Sequence, residues 1–387
     1  MFYPRMVELN RIMLSLPAIP TLLNFLMPPQ KKKHLHLEIA NYPPPFDGWG
    51  THTQFVVEEI RRRGYTCMVL KINENRQIKS PDYVDVQNGI DYLVKVIRFA
   101  ASGSAINVHV NAESSKGYIL ALVAVLVGRL FLRKSTVTFH GGVPQSFFPK
   151  PKSSLWYWKF KLLFTIASGI LCDSDDIKRP IASYAVCPAK IGTASGFSKN
   201  NLAYKKVELS TQTEAFLQSH APVFFCYVSF RPEYHLEVLR EGMKMFRENH
   251  PQAGFIWLGF PDKEMSAVRE YTSFFAQYEQ ESLLLLENLD HSEFLTLLLR
   301  CTAKLRTPAC DGVSASVLES LALGIPVVAS ENGRRPAGVV TYAEKDAADM
   351  CVKLEYLLQN FDAIKQRTVV DSGQDNVKLT ADWLLGE

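Results

Sequence analysis

The sequence predicts an α/β protein of two doubly wound, Rossmann-like parallel-sheet domains facing a central cleft. Three observations carry this. Short apolar runs alternate with segments of helical period from residue 34 onward. The alternation loosens over residues 192–220, where Ser, Thr, Asn and Gly collect, and restarts after Pro222. A length of 387 residues suits two domains better than one.

The elements follow in order. Residues 1–33 read as an N-terminal extension. His34–Asn41 reads as a strand that ends in the Pro- and Gly-rich stretch from Pro43 to Gly50. Thr51–Arg63 is a helix stopped by Gly64, and Cys67–Ile72 a strand. Helices at Gly89–Ala100, Gly117–Leu132 and Trp156–Ala167 alternate with strands at Ala105–Val110, Ser135–Phe139 and Gly169–Cys172. After the connection, strands are expected at Val223–Ser229, Gly254–Gly259, Leu283–Leu286, Ala303–Thr307 and Pro326–Ser330. Helices are expected at His235–Asn249, Val268–Gln280, Ser292–Leu299, Ser314–Leu323 and Asp346–Phe361, with a last one near Trp383. The domains are drawn at 34–205 and 206–370, and residues 371–387 form a closing helix that crosses back to the first domain. Such alternation implies parallel sheets covered on both faces, with ligands at the carboxyl ends of the strands.

Composition excludes several classes. Apolar residues make 47% and charged residues 21%, which a largely disordered chain would not show. Seven cysteines lie scattered with no C-x-x-C, and read as buried thiols in a reducing compartment. Residues 1–220 carry 27 Lys and Arg against 15 Asp and Glu, whereas the remainder carries 16 against 24. A basic half and an acidic half suggest different partners. The longest apolar run, Ile119–Val127, is nine residues, and a spanning helix needs about 20. Ile12–Pro29 is apolar but broken by Pro17 and Pro20, and Lys31–Lys33 follow. This reads as an interfacial contact with anionic headgroups and not as a leader. The mixed aromatic and basic stretch Phe147–Lys161 reads the same way, or as an ordinary helix with solvated lysines. The expectation is a cytoplasmic protein, with peripheral attachment at the inner face of a membrane, and no nucleic-acid partner.

The polar clusters sit where strands end. Asp47-Gly48-Trp49-Gly50-Thr51-His52 follows the first strand and opens a helix, where glycines let a phosphate or sugar approach free N–H groups. His109, Asn111 and Glu113 follow the third strand, and His140-Gly141-Gly142 the fourth. His140 can donate to a sugar hydroxyl or a phosphate oxygen. The block from Arg306 to Ser330 is the most informative. A strand ends at Thr307, and the small-residue loop Asp311-Gly312-Val313-Ser314-Ala315 enters a helix whose amides point at an anion. Glu319, one turn in, can accept from two vicinal hydroxyls, and Asp311 can reach others. Phosphate, diol and diol are what a nucleotide-sugar requires. Asp173-Ser174-Asp175 reads as a structural strand end, and no metal is expected.

Over residues 35–387 the chain resembles GT-B glycosyltransferases of the large retaining family 4. The resemblance rests on the Gly-rich first loop, the His-x-Asn and His-Gly elements, and the acid-x7-Glu block with Leu-Glu-Ser-Leu-Ala-Leu-Gly-Ile-Pro-Val-Val-Ala-Ser. It implies a GT-B fold and a retaining, metal-independent transfer of a sugar from a nucleoside diphosphate to a saccharide or lipid-linked acceptor. Bacterial-type surface polysaccharide or glycolipid assembly is the implied setting, and no cofactor beyond the donor substrate is implied. Carried over, Asp311 meets the donor sugar and Glu319 the ribose, with Asp311 and His140 as the catalytic pair. Gly48, Trp49, Gly50, Asn111, Arg231, Arg306, Gly312, Val313, Ser314 and Ala315 complete the donor site, and His52, Glu113, Gly141 and Gly142 face the acceptor. The chain departs from the family in Asp for the first Glu, Asn111 for a frequent His, and Ser229 and Tyr234 for the diphosphate-binding Arg and Lys. Arg231 and Arg306 are the nearest replacements, with Arg334-Arg335 further off. Two other readings stay open: a catalytically impaired GT-B binding protein, and a GT-B sugar-nucleotide epimerase.

Overall fold

The computed structural model describes residues 35–142, 145–260, 262–309, 314–368 and 374–387, which form two six-stranded sheets paired in parallel throughout. Residues 1–33, Lys31–Lys33 among them, lie outside the described residues, as do Asp311, Gly312 and Val313.

The first sheet follows the order β1 (Leu35–Ala40), α1 (Gly48–Arg62), β2 (Thr66–Lys71), α2 (Gly89–Ser102), β3 (Ala105–Val110), α3 (Ser115–Leu130), β4 (Ser135–Phe139), α4 (Leu155–Ile166), β5 (Gly169–Cys172), α5 (Asp175–Ala182) and β6 (Ile191–Thr193). Its strands lie in the order β2-β1-β3-β4-β5-β6. The second domain contains α6 (Thr211–Ser219), β7 (Val223–Tyr227), α7 (Leu236–Asn249), β8 (Gly254–Phe260), α8 (Asp262–Ser273), α9 (Gln277–Glu281), β9 (Leu283–Glu287), α10 (His291–Leu298), β10 (Ala303–Arg306), α11 (Ala315–Ala322), β11 (Val327–Ser330), β12 (Val339–Tyr342), α12 (Ala347–Gln359) and α13 (Phe361–Arg367). A final helix, α14 (Asn376–Leu385), closes the chain. The second sheet has the order β12-β11-β10-β7-β8-β9. Strand direction of travel reverses at β1/β3 and at β7/β10, and ligands of such sheets bind where it reverses.

Several boundaries differ from the sequence reading for identifiable reasons. Helix α1 begins at Gly48 and not Thr51, because the Asp47 carboxylate accepts from the Gly50 amide at 2.6 Å and caps it. Gly48, Trp49 and Gly50 therefore form its first turn. The stretch read as connection over residues 192–220 contains α6, capped by Ser210, with Leu209 and Phe216 buried in the second core. The helix expected at Val268–Gln280 is two helices, α8 and α9, separated near the buried Phe275. Strand β12, four residues long, has no periodic signal of its own.

Side chains alternate across the first sheet. Leu37, Ile39, Ile106, Val108, Val137 and Phe139 pack under α2, α3 and α4. The other face is covered by α1 and α14, where Val377, Ala381 and Leu384 meet Val56, Val57 and Ile60. Arg63 Nη1 donates to Asp382 at 2.5 Å and to Glu387 at 2.8 Å, which ties the C-terminus to α1. The Trp383 indole lies flat on β6, so a Cβ at Gly192 would stand 2.9 Å from its ring. Gly192→Val should therefore lift α14 and cost about 1–3 kcal/mol in urea unfolding followed by circular dichroism. Gly196→Ala, with open space around it, should change stability by less than about 0.5 kcal/mol. Equal effects of the two would refute this account of α14.

Candidate functional site

The loops at both points of reversal meet across the cleft between the sheets. Gly48, at the start of α1, comes so close to α11 that a Cβ on it would stand 3.4 Å from the Ala315 Cβ. Tyr227 Oη, at the end of β7, donates to the Phe46 carbonyl at 3.4 Å. The Phe55 ring of α1 meets the His291 ring of α10 edge-on, with centroids 6.2 Å apart. The N-termini of α1 and α11 thus converge on the cleft, and each presents amide donors and the positive end of a helix dipole.

Glu319 sits one turn into α11 and is 5% exposed. Its Oε1 accepts from Asn201 Nδ2 at 3.4 Å and lies 3.2 Å from His291 Nε2. Oε2 carries no hydrogen bond among the described residues. Ser314 stands at the N-cap of α11 without a side-chain capping bond, and its hydroxyl pairs instead with that of Ser316 at 3.0 Å. Arg306, at the end of β10, is buried; it donates to the Tyr227 carbonyl at 3.4 Å and lies over the Tyr234 ring at 5.4 Å. Ser229 Oγ donates to Glu264 at 3.2 Å. Arg231 is exposed, on the short turn that follows. Arg335 donates to the carbonyls of Ser330 and Pro308, joining the ends of β11 and β10, which is a structural use.

The first domain contributes a buried polar layer. Glu38 in β1 accepts from Asn107 Nδ2 at 2.8 Å and lies 2.7 Å from His36 Nε2 and 3.1 Å from His109 Nε2. Burial pushes its carboxyl up, but the hydrogen bonds from His109 and His36 outweigh burial and hold it down at about 2. His109 Nδ1 in turn lies 2.9 Å from His140 Nε2, and His140 Nδ1 lies 3.3 Å from Asp173. The Trp49 indole stacks on His140 with centroids 4.5 Å apart. His52 turns inward from α1 into the same layer, and its Nδ1 has no hydrogen bond. Glu38, His52, His109, His140 and Asp173 line a cavity of about 10 Å³, the room of about one water molecule.

These contacts show where three of the expected site residues point. His140 does not point an open nitrogen at the cleft, because both are engaged inside and Trp49 covers the ring. His52 faces the buried layer. Glu113 accepts from the Ser146 amide at 3.1 Å and from its hydroxyl, so it holds the loop after β4. Asn111 accepts from the Glu113 amide at 3.3 Å, and the Gly141 amide donates to Asp173 at 3.2 Å. Gly142 lies buried beside it. The sequence reading does not place Glu38, Asp173, Asn201 or His291 in the site. Glu38 alternates with Leu37 and Ile39 in a buried strand and Asp173 opens the Asp-x-Asp triplet, which are signals; Asn201 and His291 have none. Among the described residues no group of three His, Cys, Asp or Glu is placed to hold a metal ion.

No protein-family model matches the chain, and a search of curated proteins finds no relative. Among solved structures, HepE of Anabaena in complex with UDP-glucose is 11% identical with a TM-score of 0.65, covering 92% of this chain and 98% of that one. Sucrose-phosphate synthase of Thermosynechococcus elongatus is 13% identical with a TM-score of 0.64, covering 92% and 98%. A UDP-N-acetylglucosamine 2-epimerase is 13% identical with a TM-score of 0.62, covering 92% and 97%. At these identities the likeness establishes the fold, which is the two-domain, Rossmann-like GT-B architecture.

Burial pushes the His52 imidazole down to about 4, with the charge of His140 adding to it. His109 is pushed down by burial as well. Between pH 6.5 and 4 the unfolded chain binds protons that folded His52 does not, so stability falls as pH drops through this window. His52 alone should account for about 2–3 kcal/mol between pH 7 and 4.5. Urea unfolding of the wild type and His52→Leu across this range checks it. Parallel pH profiles would place the titration elsewhere.

Proposed function

We propose that the protein is a glycosyltransferase that moves a sugar from a nucleoside diphosphate to an acceptor hydroxyl, with retention. The observation that carries this is the convergence of two helix N-termini on the cleft, with Glu319 one turn behind Ala315. A leaving diphosphate develops negative charge, and fixed amide dipoles stabilise it without a metal ion. Glu319 takes the ribose hydroxyls through its unengaged oxygen, while Asn201 and His291 fix the carboxylate.

Ser229 and Tyr234 stand where family 4 carries an Arg and a Lys. The Tyr234 ring here supports the Arg306 guanidinium. We assign the diphosphate contact to Arg306 from β10, which replaces the loop after β7 in that role. Asp311 takes the donor sugar hydroxyls. Retention by a same-face reaction needs no protein base, because the departing phosphate oxygen receives the acceptor proton. The internal engagement of both His140 nitrogens supports this route. His140 then positions Trp49 and the first turn of α1. A second reading, a sugar-nucleotide epimerase, draws support from the epimerase that shares the fold over 92% of this chain.

Thermal unfolding with a panel of nucleoside diphosphates and nucleotide-sugars tests the donor site. One base should stabilise the wild type by about 2.7 kcal/mol at a hundredfold excess over Kd. Glu319→Ala should abolish the shift, and Arg306→Met should weaken the diphosphate at least about tenfold but not the nucleoside. No shift with any nucleotide would favour the impaired binding protein. Product analysis then separates the enzymes. Sugar transfer needs an acceptor and keeps the anomeric configuration, whereas epimerisation converts the donor alone.

A further inference from the structure

The face of the first domain away from the polar layer is formed by α2, α3 and α4, packed side by side. It is not finished as a water-facing surface. On α3, Ile119, Leu126 and Leu130 are exposed, and on α4, Leu155, Trp158 and Leu162. Their spacings of three, four and seven residues put each set on one side of its helix. Leu130 is 79% exposed, and Ile90 on the neighbouring α2 is 77% exposed. Repeated exposure of large apolar side chains on three adjacent helices exceeds the single scattered exposures of an ordinary surface.

The charge along α3 and α4 has one sign, while on α2 Asp91 is paired with Lys95. Between Glu113 and Asp173 the sequence contains no Asp or Glu and eight Lys and Arg. Lys116 and Lys152 are exposed at the starts of α3 and α4. Lys159 lies over the Trp156 ring at 4.2 Å, and Lys161 over the Trp158 ring at 5.1 Å. These stems run along apolar surface and carry their ammonium groups to its rim. We propose that this face docks on an anionic phospholipid surface, with α3 and α4 lying in the plane of the headgroups.

The sign of the charge selects this occupant. A second copy would present the same basic helices across a two-fold axis, and like charges would oppose. The apolar segment before residue 34 carries Arg5, Arg11 and Lys31–Lys33 against Glu8, the same sign again. Anionic headgroups complement the lysines, and their acyl boundary accepts Trp and Leu. Helices α3 and α4 begin at the carboxyl ends of β3 and β4, so the docked face reaches the rim of the cleft. An acceptor carried on a lipid would then enter from the membrane; that last step rests on the proposed transferase reading, whereas the docking does not.

The test uses the full chain without nucleotide, sedimented with vesicles of phosphatidylcholine alone or with about a third phosphatidylglycerol. The wild type should pellet only with the anionic vesicles and be released as salt rises. Leu126→Gln/Leu130→Gln/Trp158→Gln should cut the bound fraction at least about fivefold, and Lys116→Glu/Lys152→Glu should do so at low salt. Four outcomes would overturn the proposal. They are no binding, equal binding to both vesicle types, wild-type binding by both variants (attachment through residues 1–33), and a dimer that the apolar variant splits.

Discussion

The first domain is organised around the buried carboxylate of Glu38, which is 1% exposed. Removing such a group from water costs several kcal/mol unless donors replace the lost hydration. His36, Asn107 and His109 supply them from β1 and β3. With Glu38 ionised, His109 donates from Nε2, so its Nδ1 accepts and His140 donates from its own Nε2. The chain of bonds therefore has one direction, from β4 through β3 to β1. It fixes the plane of the His140 ring, on which Trp49 stacks. The first turn of α1, and with it Gly48, is placed by a carboxylate two strands away.

The second constraint is the close approach of the domains. Gly48 carries no side chain where it meets Ala315, so two helix starts can present their amides to one volume. The short helix Lys199–Leu202 contacts both α1 and α11, and Asn201 within it reaches Glu319. The linker is therefore part of the cleft wall. Helix α14 completes the crossing, because Asn376 Nδ2 donates to the Phe197 carbonyl at 2.7 Å while Trp383 lies on β6. The chain crosses between domains twice, at the linker and before α14, and the two crossings touch.

Much of this architecture is legible in the sequence. The alternation of apolar strands and helical segments gives the two sheets and the strand ends that carry the clusters. The motif from Arg306 to Ser330 locates α11 and Glu319. What the sequence withholds is the direction in which polar side chains point. His140 ends its strand beside two glycines, a pattern equally suited to a ligand contact and to a buried bond. Only the positions of His109 and Asp173, 31 and 33 residues away, decide between them. Asn201 lies in a Ser- and Asn-rich connection with no periodic signal, and its partner is 118 residues distant. The short strands β6 and β12, at the outer edges of their sheets, are not read as strands in the sequence, although β5, β10 and β11, of four residues each, are.

The alternation in β1, β3 and β4 also divides the work of the first domain. His36 and Glu38, Asn107 and His109, and Thr136 and Thr138 all point to one side. Leu37 and Ile39, Ile106 and Val108, and Val137 and Phe139 point to the other. Polar–apolar alternation of this kind usually marks a strand with one solvated face. Here both faces are covered, and the polar face survives burial because its members satisfy one another. One consequence is chemical, since Glu38, His52, His109, His140 and Asp173 share one cavity and Trp49 of α1 stacks on His140 at its edge. The other is physical. The opposite face is sealed by three helices whose inner sides need only apolar residues, so their outer sides are free to carry a different function. A single period of two thus separates the side that orders the cleft from the side that meets the surroundings.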